Sequence, residues 1–343
     1  MNKHSTLVGL AGLVGLIALA GCGGPATPPS PPPVSAAPAA TSAAPAAPIK
    51  IGIAQIVSHP SLDAIRAGFK ECMTTLGYSP KYDEQNPEGD QAALTSIANN
   101  FKSGNLDLVV AITTPVAQAM AQAITDRPIV FAGVTDPVSA KLVNSFEKPG
   151  GNLTGTSDYP PITDQLKLIK ELKPNAKTIG IVYASSETNA ETQTQLATDA
   201  AKALGMEVKT AAVTNSSEVQ QAATSLAGVD AFYVGNDNTV VSGIEGLVQA
   251  AEKQKVPVIA ADPDSVKRGA VAAYAIDQKQ MGCEAAKLAD QVLKGAKPGD
   301  LPVVKMADLK DSLALSINTS VAAAQGVTIP DSMSNRPGVI KVA

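Results

Sequence analysis

The chain has 343 residues, with 27 Lys+Arg against 31 Asp+Glu, a formal net charge of -4 and a pI near 5.3. That acidic balance argues against a nucleic-acid binder, which carries a basic patch and a high pI. Only two His occur, one of them His4 near the start, so His-based metal or triad chemistry has little to work with.

In chain order, the N-terminus reads as a secretory signal. Lys3 supplies positive charge, and residues 7–20 form an apolar run shorter than the roughly 20 residues that cross a bilayer. The run ends in Leu19-Ala20-Gly21-Cys22, which resembles the lipobox of bacterial lipoproteins. This implies a removed signal over 1–21 and an acyl-anchored Cys22. A plain signal peptide that contains a Cys is the alternative. Residues 23–48 hold nine of the 25 prolines and no charge, so 22–48 is expected to be an extended tether.

From Ile49 onward, short apolar runs alternate with helical patterns. The spacing predicts a strand over 50–57, a helix over 61–76 stopped by Gly77, and a buried strand over 106–112. A helix over 115–124 and a strand over 128–134 follow. Such alternation predicts an α/β fold with a doubly wound parallel sheet. The second half repeats the first. Ile51-Gly52-Ile53 returns as Ile179-Gly180-Ile181, Asp107 as Asp230, Pro128 as Pro257 and Asp136-Pro137 as Asp262-Pro263, the pairs lying 123 to 129 residues apart. Two similar lobes joined by a hinge are expected: 49–157 plus 276–305 for the first, 158–275 plus 306–335 for the second. The hinge passages are placed at 155–159, at 275–277 and around Lys305. If a helix over 278–293 rejoins the first lobe, Cys72 and Cys283 lie on neighbouring helices. A disulfide between them is then favoured slightly over two separate buried thiols.

Ligands of open parallel sheets bind beyond the carboxyl ends of the strands. The residues there are Ser58-His59, Thr113-Thr114, Thr135-Asp136, Ser185-Ser186-Glu187, Asn236-Asp237-Asn238 and Asp262. Any one of them could simply cap a helix. Together they line both lobes with polar groups, which capping alone does not require. Asp136, Asp237 and Asp262 are possible partners for an ammonium group, while hydroxyls and helix N-termini would hold a carboxylate. This suits a small zwitterion. With no Trp in the chain, a sugar is less favoured, and the cleft walls are expected to be polar and aliphatic. No phosphate loop, nucleophile elbow or metal-ligand spacing occurs, so neither an enzyme nor a cofactor is expected.

Several phrases together resemble a known family. They are Gln55-Ile56-Val57-Ser58-His59-Pro60-Ser61-Leu62-Asp63, Ala111-Ile112-Thr113-Thr114-Pro115, Val134-Thr135-Asp136-Pro137, Lys148-Pro149-Gly150-Gly151-Asn152, Ser185-Ser186-Glu187-Thr188-Asn189 and Asp237-Asn238-Thr239. Over residues 49–330 the chain resembles solute-binding lipoproteins of ABC importers, in the branch with the tryptophan/tyrosine-type binding proteins. The resemblance implies a periplasmic-binding-protein type I fold. It also implies an extracytoplasmic, lipid-anchored monomer that traps a small ligand by hinge closure. The partners would be a membrane permease and its ATPase, and the ligand an amino acid, aromatic ones included. It carries ligand contacts to Ser58, His59, Thr113, Thr114, Asp136, Ser186, Glu187, Asn189, Asp237, Asn238 and Asp262. A lipoprotein of the same fold that presents its ligand to a sensor, or binds at a surface, is the alternative.

Overall fold

The computed structural model describes residues 48–342, so Cys22 and the signal and tether expectations lie outside it. The first lobe runs through β1 (Lys50–Gln55), α1 (Pro60–Thr75), β2 (Lys81–Gln85), α2 (Gln91–Ser103) and β3 (Leu108–Ile112). It continues with α3 (Thr114–Ala123), β4 (Ile129–Ala132) and β5 (Leu153–Ser157). The second lobe takes α4 (Ile162–Leu172), β6 (Thr178–Ala184), α5 (Thr188–Ala203), β7 (Glu207–Val213), α6 (Val219–Ser225) and β8 (Ala231–Val234). Then come α7 (Asn238–Ser242), α8 (Ile244–Gln254), β9 (Val258–Ala260), α9 (Pro263–Lys267) and β10 (Ala272–Ile276). The chain returns to the first lobe for α10 (Gln278–Leu293) and β11 (Val304–Lys305). It ends in the second with β12 (Leu313–Asn318), α11 (Thr319–Ala322), α12 (Asp331–Ser334) and β13 (Ile340–Val342).

The first sheet has the order β11-β5-β4-β3-β1-β2 and is parallel throughout. The second, β13-β12-β10-β9-β8-β6-β7, is parallel except where β12 joins β10. Central strands are continuous apolar runs, such as Leu108–Ile112, because helices cover both faces. The edge strands β2 and β7 were not expected. Their residues are mostly exposed, those of β2 nearly all polar and those of β7 a mixture, so neither shows the continuous buried apolar run that marks a strand between two helix layers. The chain passes between sheets three times: after β5, at Asp277, and between Lys305 and Leu313.

The helices α1 and α10 lie closer than ordinary side chains allow. A Cβ on Gly68 would stand 2.1 Å from the Lys279 carbonyl oxygen, and one on Gly282 would stand 2.0 Å from that of Ile65. Two glycines therefore permit the contact, and a Cys72–Cys283 disulfide, with Cα atoms 5.2 Å apart, closes it. The pair carries the first turn of α1 and the start of α10 to the cleft between the lobes. The bond joins residues 211 apart in sequence, and closing such a loop constrains the unfolded chain. Replacing both cysteines by Ala should cost about 2–4 kcal/mol in denaturant unfolding. A midpoint that neither this variant nor a reducing agent moves would mean the bond is not formed.

Candidate ligand-binding site

A cavity lies between the lobes, at the carboxyl ends of the strands. The first lobe lines it with His59, Ser61, Leu62 and Ile65 from the start of α1, Thr113 and Thr114 from the β3–α3 turn, and Gly133 and Thr135 after β4. The second supplies Asn189 from α5, Asn236, Asp237 and Asn238 at the start of α7, Val241 within it, and Asp262 after β9. Asp158 and Gln278 enter beside two of the passages between lobes. Its apolar wall is aliphatic: Leu62, Ile65 and Val241.

Five lining residues bury a polar atom that no group among the described residues meets. These are His59 Nδ1, Thr113 Oγ1, Thr114 Oγ1, Asp158 Oδ1 and Asn189 Oδ1. Each such atom costs about 1–3 kcal/mol when left unpaired. Five of them around one space make a polar frame for a guest with matching donors and acceptors.

Thr113 is bent into that frame. It has φ +89, a region a β-branched residue avoids, and the strain costs on the order of 1–3 kcal/mol. The bend starts α3 directly after β3, and its first-turn N–H groups, which Pro115 reduces by one, have no partner within the helix. Two hydroxyls and a helix N-terminus make a donor set suited to an anion.

Asp158 is the opposite kind of group. Asn236 Nδ2 donates to its Oδ2 at 2.7 Å, while its Oδ1 has no partner. Burial pushes the carboxyl up to about 6, against the Asn236 hydrogen bond and the nearby Thr135 hydroxyl, which favour the charged form. No Lys or Arg pairs with it among the described residues. His59 is shifted downward by burial, which outweighs the nearby Asp262, so its ring is neutral near pH 7.

The other carboxylates expected to meet an ammonium group are already engaged. Asp237 accepts from the Ala184 N–H at 2.7 Å and the Val240 N–H at 2.9 Å. Burial, then the neighbouring Glu187, raises its pKa. Asp262 accepts from the Asp264 and Ser265 N–H groups and from the Ser61 hydroxyl at 2.6 Å. Asp136 lies off the cavity and accepts from the Val138 and Ser139 N–H groups in its own turn. Ser58 also lies off it and donates to Asp63 at 2.9 Å. Ser186 and Glu187 line a neighbouring depression of about 800 Å³ that shares Asn238 with the cavity. The structure thus brings His59, Thr113, Thr114, Asn189, Asp237, Asn238 and Asp262 together and leaves Ser58, Asp136, Ser186 and Glu187 outside. Sequence reasoning missed Asp158, Ser61 and Gln278. Asp158 had a signal: it is the one charged residue in the passage expected at 155–159.

Direct hydrogen bonds span the cleft. Besides Ser61 to Asp262, Gln118 donates to Thr188 Oγ1 and Gln193 to Thr135 Oγ1, both at 3.4 Å. The lobes are closed on one another.

Known proteins resemble the chain over nearly all of its body. It is 44% identical over 261 residues to a tyrosine-binding protein of Clostridioides difficile, which covers 75% of this chain and 76% of that one. A Streptococcus pneumonia ABC domain solved in complex with L-Trp is 40% identical, with TM-score 0.81 over 86% of this chain and all of that one. A substrate binding protein with adhesive properties from Clostridium difficile, in its ligand-free, open structure, is 37% identical and covers 86% of this chain and 99% of that chain, yet its TM-score is 0.65. At nearly equal identity and coverage, the chain superposes more closely on the L-Trp complex than on the open structure. Residues 50–341 match the family described as ABC transporter substrate binding protein. The chain belongs to that family, whose members bind solutes and are not enzymes.

Proposed function

We propose that this protein captures an amino acid with a large apolar side chain between its lobes and delivers it to a membrane permease. The observation that carries the reading is the pairing, in one closed cavity, of a buried carboxylate without a cation (Asp158) and two buried hydroxyls at a helix N-terminus (Thr113, Thr114). An ammonium meets Asp158 and a carboxylate meets the start of α3. The side chain lies along Leu62, Ile65 and Val241, where His59 offers one polar atom. The tyrosine-binding relative and the L-Trp complex support an aromatic side chain. In this reading Cys22 is acylated, the tether holds a monomeric body outside the cytoplasm, and an ABC permease with its ATPase is the partner. No helix of the described residues is long and apolar enough to cross a membrane. A second role in surface adhesion has one observation in its favour, the adhesive properties named for the relative from Clostridium difficile.

Thermal-shift screening tests the ligand class. L-Tryptophan, L-tyrosine or L-phenylalanine should raise Tm through linkage, while glucose and ribose should not. No shift with any amino acid would sink the reading.

Asp158→Asn should weaken binding tenfold or more in calorimetry, because removing one partner of a buried charge pair costs about 2–5 kcal/mol. The pH dependence has a definite sign. A carboxyl raised to about 6 stabilises the free fold at low pH, and that contribution is lost as pH rises through about 6. A ligand ammonium requires the charged form. Affinity should therefore fall below about pH 6, and the ligand-induced rise in Tm should be larger at about pH 7.5 than at about pH 5. A pH profile that is the same in the wild type and Asp158→Asn would remove Asp158 from this role.

A further inference from the structure

Glu187 lies outside the cavity, yet it is the most heavily hydrogen-bonded side chain near it. It is buried, and no Lys or Arg among the described residues pairs with it. Its Oε2 accepts from Asn189 Nδ2 at 3.1 Å, Asn238 Nδ2 at 2.5 Å and the Asn238 N–H at 3.3 Å. Its Oε1 accepts from the Thr239 N–H at 3.0 Å and the Thr239 hydroxyl at 2.8 Å.

These bonds decide which way an amide faces. Asn189 Nδ2 also donates to the Asn236 carbonyl oxygen at 2.9 Å. Both its partners are acceptors, so the NH₂ end belongs on their side, and the partnerless Oδ1 is what Asn189 brings to the cavity. Asn236 continues the chain, since its own Nδ2 donates to Asp158 Oδ2. Glu187, Asn189, Asn236 and Asp158 form one line of hydrogen bonds from the start of α5 to the hinge. At the cavity it ends in two unpaired acceptors, Asn189 Oδ1 and Asp158 Oδ1.

We propose that Glu187 is a positioning residue that turns the Asn189 amide oxygen to the cavity, and so makes the second lobe select ligands that carry an ammonium group. This rests on the amino-acid reading above and gives it a source of specificity. In Glu187→Gln the fixed Thr239 N–H keeps the remaining oxygen on its side. The new NH₂ then faces the NH₂ groups of Asn189 and Asn238 and the Asn238 N–H. Donor meets donor, and of the two acceptors that hold the Asn189 amide only the Asn236 carbonyl oxygen remains, so the amide oxygen is no longer fixed to the cavity and its NH₂ turns there in part of the molecules.

Calorimetry with L-tryptophan and 3-indolepropionic acid, which lacks only the amino group, reads this selectivity. The wild type should prefer tryptophan by about tenfold or more, as the loss of a charge-assisted hydrogen bond implies. In Glu187→Gln that preference should shrink about fivefold or more while indolepropionate affinity stays within about twofold. Glu187→Asp, which keeps the acceptors, should restore part of the preference. Equal weakening of both ligands would overturn the proposal and leave Glu187 a structural residue. A ligand-free readout separates this from the amino-acid reading. The Asn189 side-chain NH₂ protons should exchange slowly with solvent in the wild type and markedly faster in Glu187→Gln. If neither ligand binds the wild type but this exchange difference holds, the amino-acid reading fails and the positioning by Glu187 stands. Unchanged exchange would overturn the positioning itself.

Discussion

The site depends on one carboxylate that is taken out of water without a cation. Asp158 follows β5 on the passage between lobes, held by Asn236 of the second lobe, with one oxygen free. Burying a charge in this way is costly unless a partner arrives. The protein alone relieves the cost by raising the pKa to about 6, and in the proposed reading a ligand ammonium would relieve it by pairing. Because the carboxylate sits where the chain changes lobe, a ligand held there and by the first lobe would, in the proposed reading, link occupancy to closure.

The rest of the structure serves that arrangement. The parallel strands put their carboxyl ends at one cleft, so the polar residues after β3, β4, β8 and β9 converge without needing long loops. The α1–α10 pair, allowed by two glycines and closed by a disulfide, fixes one wall. Ser61 to Asp262 and the weaker cross-lobe bonds hold the closed form with protein groups alone. A ligand therefore shifts a balance that the protein already approaches, by its differential affinity for the two states.

Much of the fold was legible because its signals are local. Leu108–Ile112 is apolar at every position, and a repeat of short phrases revealed two lobes. The edge strands were not, since Lys81–Gln85 faces solvent and resembles a loop. At the site, the rule of strand ends found His59, Thr113, Thr114, Asp237, Asn238 and Asp262, and the family resemblance added Asn189. It could not separate binding from capping, for the two use the same residue types. Asp237 spends both oxygens on backbone N–H groups and Asp136 accepts two such groups in its own turn, while Asp158 keeps one oxygen buried without a partner. Only burial and hydrogen-bond partners distinguish them, and both come from the folded chain.

The account rests on a ligand held by both lobes at once. Spin labels at Gln91→Cys and Ser217→Cys, exposed positions of the two lobes, would report the distance across the cleft by electron–electron resonance. With saturating L-tryptophan or another ligand found by screening, the distance distribution should shorten and narrow to a single closed peak. A distribution that ligand leaves unchanged, while calorimetry shows binding, would contradict capture by closure.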